Sequence, residues 1–414
     1  MSESSSKKGI SLLWKISIGF VAGILFGFLV GPAVSGSPVL SDYVMPFLDF
    51  IGKVFLTLLK MLIVPLVFAS LVAGAASIGD LRKLGRIGVK TLVLYLVTTA
   101  IAIVIGLALG NLINAGAGMN IEGLKAEAKA AKPLLEVLLN IFPSNPLDSM
   151  VKANMLQIIV FALFFGVACV LAGERGRKVA DFFENVAEVM YSVTRIVMQL
   201  APYGVFALIA ITAAKYGLSI LAPFAKVIGA VYLGCFLHAI LVYSGMVSLF
   251  CKRSPIWYFK GIQNAAITAF VTRSSAGTLP VTMECVRDNL GVSEGVSSFV
   301  LPLGATINMD GTGLYQGICA LFVAQAFNVP LTLQMQFSIV ATATLASIGT
   351  AGVPGAGLIM LTMVLTSVGL PIEGIALVAG IDAILDAART VLNITGDAAV
   401  CTVIAATEGE TLKS

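Results

Sequence analysis

The chain has 414 residues, 58% hydrophobic and only 12% charged, with a formal net charge of +4 at neutral pH. A soluble domain carries about a quarter charged residues, so this composition excludes an ordinary cytosolic enzyme, and no basic tract points to a nucleic-acid partner. Apolar runs of bilayer-spanning length recur from end to end without the two-residue alternation of barrel strands, which predicts an all-α polytopic membrane protein.

The first predicted span is 10–30. Its basic start resembles a secretory leader, but the apolar stretch is long for one and Trp14 with Lys15 suits an interfacial anchor, so a retained span is expected. Further spans are predicted at 45–75, bent near Pro65, and at 91–112. A fourth region, 134–171, is interrupted by "FPSNP", and a long fifth span, 179–213, contains Pro202. The sixth is 218–250. Lys7, Lys8, Arg82, Lys83, Arg86, Arg175, Arg177, Lys178, Lys252 and Arg253 all fall on one side of this arrangement. The positive-inside rule then puts the N-terminus in the cytoplasm, and the cell (inner) membrane is the expected location. Lys125, Lys129 and Lys132 are the exception, in a loop long enough to weaken the rule.

The six cysteines are scattered with no CxxC spacing, which argues against a zinc site or a disulfide framework. His238, alone in an apolar span, reads as a packed side chain without chemistry.

After residue 254 the pattern changes. "AFVTRSSAGTLPVTM" (269–283) and "LASIGTAGVPGAGLIML" (345–361) interrupt apolar sequence too short to cross the bilayer twice. Each precedes one full span with a polar cluster. Two such half-helix hairpins with polar-interrupted spans mark an internal repeat of the secondary-transporter kind, giving eight transmembrane helices plus two re-entrant hairpins. Close packing through small residues explains the Gly and Ala, but not Ser-Ser, Pro and Asp arriving together.

The last span carries "DAILDAARTVLNITGD" (382–397). On an ideal helix Asp382, Asp386, Arg389, Thr390, Asn393 and Asp397 fall within an arc of about 100°. Each charge at a helix centre costs on the order of 3 kcal/mol on insertion scales, so the arc must face protein or water. A structural ion-pair lattice accounts for one Asp–Arg pair but poorly for six polar groups. Arg389 offers a fork for a carboxylate, Asp386 a partner for an ammonium group, and Asn393 and Thr390 donors for a second carboxylate. That combination suits an acidic amino acid. Ser275 and Gly357, at the hairpin tips, add hydroxyl and backbone N–H groups. In "GATINMDGTG" Gly304, Gly311 and Gly313 permit unwinding, and Asn308 and Asp310 bring hard oxygens that suit Na⁺.

In order and spacing, "TRSSAGTLPVTM", "NMDGTGLYQG", "SIGTAGVPGAG" and "DAILDAARTVLNITGD" resemble the glutamate/aspartate transporter family, most of all its prokaryotic sodium–aspartate symporters. The resemblance covers essentially the whole chain. It implies inverted repeats, a homotrimer in the lipid bilayer, and an elevator mechanism. Residues 1–90 and 113–215 would form a scaffold, and 91–112 with 216–414 a mobile transport domain. It further implies that Arg389 binds the substrate side-chain carboxylate with help from Thr312, and Asp386 its amino group. Asn393, Ser275 and Thr390 would place the substrate, with Val353 and Gly357 closing the second hairpin over it. One sodium site would use Gly304, Asn308, Asn393 and Asp397, and a second Thr306, Ser347, Ile348 and Thr350. A third would use Tyr95, Thr98, Thr99, Asn308 and Asp310, with Met309 between sites. Asp382 and Tyr315 would support this set from behind, Asp382 orienting Arg389, and Arg273 would be structural or steering.

Gln316 stands where animal relatives that use protons and potassium carry an acid, so sodium coupling without either is expected, and Ala276 replaces a serine common at that tip. Proton coupling within the same fold is the nearest rival. An intramembrane aspartyl protease is disfavoured because Asp382 and Asp386 lie one turn apart on one helix instead of facing each other. A passive anion channel is disfavoured by so specific a set of ligands.

Overall fold

The computed structural model describes residues 12–34, 36–77, 86–119, 142–348 and 355–413, and among these it is helical with no strand. The first helices are α1 (Leu12–Val34), α2 (Met45–Ser77, continuous through Pro65) and α3 (Arg86–Ile113). The region predicted as broken by "FPSNP" has a short helix, Pro146–Val151, capped by the Asn145 side chain, and then α4 (Met155–Leu171). Its part before residue 142 lies outside the described residues.

The predicted span 179–213 is in fact two helices, α5 (Glu174–Gln199) and α6 (Ala201–Tyr216). Pro202 sits in the first turn of α6, where its missing N–H takes no bond from the helix, so it starts a helix instead of bending one. α1 lies along α6 at backbone distance. A Cβ at Gly23 would come 2.7 Å from the Phe206 carbonyl oxygen, and one at Gly31 2.6 Å from that of Ala214.

α7 (Leu221–Cys251) is a 31-residue helix interrupted by π turns at Ala239–Tyr243 and Val247–Cys251. After a short helix, Pro255–Gly261, come α8 (Gln263–Thr272) and α9 (Ser275–Glu284), at about 15 Å each half the depth of the bilayer core. Between them Arg273 turns the chain at φ +52° and the Ser274 hydroxyl caps α9. The next span is broken as "INMDG" suggested: α10 (Glu294–Ile307) ends at Asn308, Met309 is non-helical, and α11 (Asp310–Ala326) begins. α12 (Leu333–Ser347) and α13 (Ala356–Ser367) are the arms of the second interruption.

α14 (Asp382–Thr407) packs against α3, α7, α8, α9, α10 and α11. Of its apolar window 83% is buried, against 12% for α1, so α14 is the inner helix of the molecule although its sequence is the more polar. Among the described residues four helices are long and apolar enough to cross a membrane unaided: Trp14–Val34, Arg86–Ile113, Leu221–Cys251 and Ile384–Thr407.

The C-terminal tail crosses one end of this assembly. Glu408 bonds Arg86 at 2.6 Å and Lys90 at 2.5 Å, and Glu410 accepts from the Ser293 backbone N–H ahead of α10 at 2.9 Å. The Leu412 carbonyl accepts from Arg253, and the Lys413 backbone N–H donates to Leu290.

Candidate functional site

All six polar residues of the α14 stripe are buried. Arg389 is 1% exposed, with Nη1 2.7 Å from Asp382 Oδ1 and Nη2 2.6 Å from Asp386 Oδ1. The Tyr315 ring lies 4.0 Å from its guanidinium carbon, leaving Nε with no hydrogen-bond partner among the described residues. Asp386, expected to face an ammonium group, here pairs with Arg389. The backbone of α13 closes over the same group, for a Cβ at Gly357 would come 2.8 Å from the Arg389 guanidinium carbon. Thr390 donates back to the Asp386 carbonyl at 2.9 Å. Ser275 is buried at the start of α9, which packs against α14. Val353 lies outside the described residues.

Asn393 joins this group to the break between α10 and α11. Its Oδ1 accepts from the Gly311 N–H at 2.8 Å, and its Nδ2 lies 3.3 Å from Met309 Sδ and 3.4 Å from Thr312 Oγ1. One turn further, Asp397 Oδ1 accepts from Asn308 Nδ2 at 2.9 Å, and the same amide reaches the Asn393 carbonyl at 3.3 Å. Gly304 is required here because a Cβ would come 2.5 Å from Asp397 Oδ1 and 2.6 Å from the Tyr95 hydroxyl.

A second set of oxygens converges between α3 and α11. Thr99 Oγ1 lies 2.6 Å from Asp310 Oδ1. Thr98 Oγ1 lies 3.1 Å from the Tyr95 carbonyl, 3.3 Å from Asp310 Oδ1 and 3.4 Å from Asn308 Oδ1. The Tyr95 hydroxyl turns away and donates to Val300. Buried oxygens from hydroxyl, carbonyl, amide and carboxylate, without sulfur, are the donor chemistry of a hard monovalent or alkaline-earth cation. Thr306 and Ser347 donate to carbonyls of their own helices, Leu303 at 3.0 Å and Thr344 at 2.7 Å. Ile348 ends α12 in an extended conformation, and Thr350 lies outside the described residues.

Sequence reasoning missed His238 and Tyr243. Five residues apart, they would lie 140° from each other on an α-helix. The π turn Ala239–Tyr243 brings their rings edge to face, centroids 4.9 Å apart. His238 therefore has an acidic neighbour after all: its Nε2 is 3.4 Å from Asp310 Oδ2. Its geometry there is an approach and not a formed hydrogen bond. The only hint in the sequence was a second polar ring in the same apolar run.

The family model described as the sodium:dicarboxylate symporter family matches residues 12–407. The chain belongs to that family. It is a transporter, and not an enzyme. It is 38% identical to a proton/sodium-glutamate symport protein of Geobacillus stearothermophilus, over 97% of this chain and 95% of that one. It is 37% identical to a proton/glutamate-aspartate symporter of Escherichia coli strain K12, over 95% and 92%. It is 34% identical to a C4-dicarboxylate transport protein of Rhodospirillum rubrum, over 96% and 88%. In this member of the symporter family Asn393, one turn along α14 from Arg389, bonds the break between α10 and α11 through Gly311 and Met309.

Proposed function

We propose that the protein is a secondary active symporter that takes up acidic amino acids, aspartate or glutamate, driven by the sodium gradient. The observation that carries this reading is the buried Arg389, flanked by Asp382 and Asp386 and covered by the backbone at Gly357. An acidic amino acid satisfies both halves of that arrangement. Its side-chain carboxylate takes the guanidinium fork, including the unpartnered Nε, while its ammonium group takes Asp386 as that carboxylate turns from Arg389. A C4-dicarboxylate would set its second carboxylate against Asp386, a like-charge contact in a buried site. The second hairpin, with Val353 and Gly357, closes over the substrate, and Ser275, Thr312, Thr390 and Asn393 orient it.

Charge supports the coupling. Among the described residues the buried interior holds four carboxylates, Asp310, Asp382, Asp386 and Asp397, and one guanidinium, Arg389. An anionic substrate adds to that excess, and moving it through a low-dielectric layer requires compensating cations. The oxygens around Asp310 and those around Asp397 are the candidate positions. A third sodium position at Thr306, Ser347, Ile348 and Thr350 follows the family resemblance. The architecture we infer has eight spans with two re-entrant hairpins in inverted repeats. A transport domain (91–112 and 216–414) moves as an elevator against a scaffold (1–90 and 113–215) in a homotrimer of the inner membrane, with the N-terminus cytoplasmic.

Proton coupling is the second reading, favoured by the names of the relatives that transport glutamate with protons. Uptake of labelled aspartate and glutamate into proteoliposomes, under a sodium gradient or a pH gradient alone, separates the two. Accumulation at full rate without sodium rejects sodium coupling. Calorimetric binding with and without NaCl should show aspartate or glutamate bound in preference to succinate, and equal affinity for succinate rejects the substrate assignment.

A further inference from the structure

We propose that Tyr243 is a positioning residue for the cation site at Asp310, linking that site to α14. The inference rests on the reading of Asp310 as a cation ligand. Asp310 is held from two sides. Its Oδ1 takes the hydroxyls of α3, Thr99 at 2.6 Å and Thr98 at 3.3 Å, while its Oδ2 takes the Tyr243 hydroxyl of α7 at 2.6 Å. That last contact is a short, charge-assisted bond in a buried site, the kind that fixes a carboxylate's rotation. With Oδ2 held, Oδ1 faces the Thr98 hydroxyl, which also lies near the Tyr95 carbonyl and Asn308 Oδ1.

The same hydroxyl lies 3.2 Å from the Leu392 carbonyl of α14. A phenol has one proton, so the two acceptors compete and the nearer carboxylate takes it. α14 is shaped to admit the group: a Cβ at Gly396 would come 2.5 Å from the Tyr243 hydroxyl and 2.6 Å from Asn308 Nδ2. The π turn aims Tyr243 here, and the His238 ring packs edge-on against it. π turns inside α-helices recur at functional sites. When a cation draws on Asp310, the phenolic proton has a second acceptor on the helix that bears Arg389 and Asp397. Occupancy at Asp310 is thereby communicated to the substrate helix through one side chain.

The test is Tyr243→Phe, which keeps the ring and removes the hydroxyl. Without its donor, Oδ2 turns the carboxylate toward the threonine hydroxyls and into the space a cation would fill. In proteoliposomes the NaCl concentration giving half-maximal uptake should rise on the order of tenfold, the scale of one lost hydrogen bond to a charged group. Maximal uptake at saturating NaCl, and substrate affinity measured there, should stay near wild type; a packing defect would lower both. Asp310→Asn is run alongside. If it shifts the sodium curve and Tyr243→Phe does not, Tyr243 has no positioning role and the cation site stands. If Asp310→Asn leaves sodium activation unchanged, the cation site and the role of Tyr243 fall together.

Discussion

α1 and α14 are both apolar enough to cross a membrane, yet they are built on opposite rules. α1 meets α6 through glycines that bring backbones together and presents most of its remaining surface outward. α14 carries six polar side chains on one face and is enclosed by α3, α7, α8, α9, α10 and α11. The first contact is sterically demanding and chemically empty; the second is crowded with charge that must be compensated. The comparison teaches that polarity of sequence and depth of burial run in the same direction here, the reverse of a soluble protein, because the outer solvent is lipid.

The largest expected effect sharpens the α14 side. Arg389→Cys leaves Asp382 and Asp386 without their buried partner, and calorimetry should register loss of aspartate or glutamate binding by at least about a hundredfold, with neutral amino acids as the ligands to try in its place. Unchanged aspartate affinity would break the assignment. Next, Gly357→Ala sets a methyl group against the guanidinium, and should weaken acidic substrates on the order of tenfold while sparing the sodium concentration for half-maximal uptake. A change in sodium dependence alone would show that α13 covers something other than substrate. On the α1 side, Gly23→Ala should lower the melting temperature of the detergent-solubilised protein by an amount equivalent to about 1–3 kcal/mol and leave selectivity untouched. Altered substrate preference there would erase the contrast between the two helices.

The smallest effect concerns the tail. Hydrogen bonds from Arg86 and then Lys90 hold the Glu408 carboxyl below the ordinary carboxylate range. A carboxyl depressed in the folded state stabilises above its unfolded value and loses that contribution as pH falls through the folded one. Wild-type protein should therefore melt slightly above Glu408→Gln at neutral pH, the gap closing as pH falls below the ordinary glutamate range. A gap that widens in acid would mean the tail is held by something else.

Much of this was legible in the residues. The stripe on α14 could be read because one helical period collects Asp382 to Asp397 on one face, and the break at Asn308–Met309 because glycines cluster around an Asp. The junction at Leu200 was not legible, since Pro202 reads equally as a kink or as a helix start. His238 and Tyr243 escaped because a helical wheel separates residues that a π turn aligns. The pairing of Asp386 with Arg389 was not legible, because residues three apart on a helix can pair or diverge according to their rotamers.

The order of the helices along the chain bears on biosynthesis. α14 is made after the helices that close around its charges, and residues 408–413, made later still, fasten α3, α7 and α10. While α14 is missing, the polar groups of α3, α10 and α11 that face it have no protein partner inside the bilayer. Truncation ahead of residue 382 should therefore leave an open bundle for quality control to meet, and truncation ahead of residue 408 a closed but unfastened one.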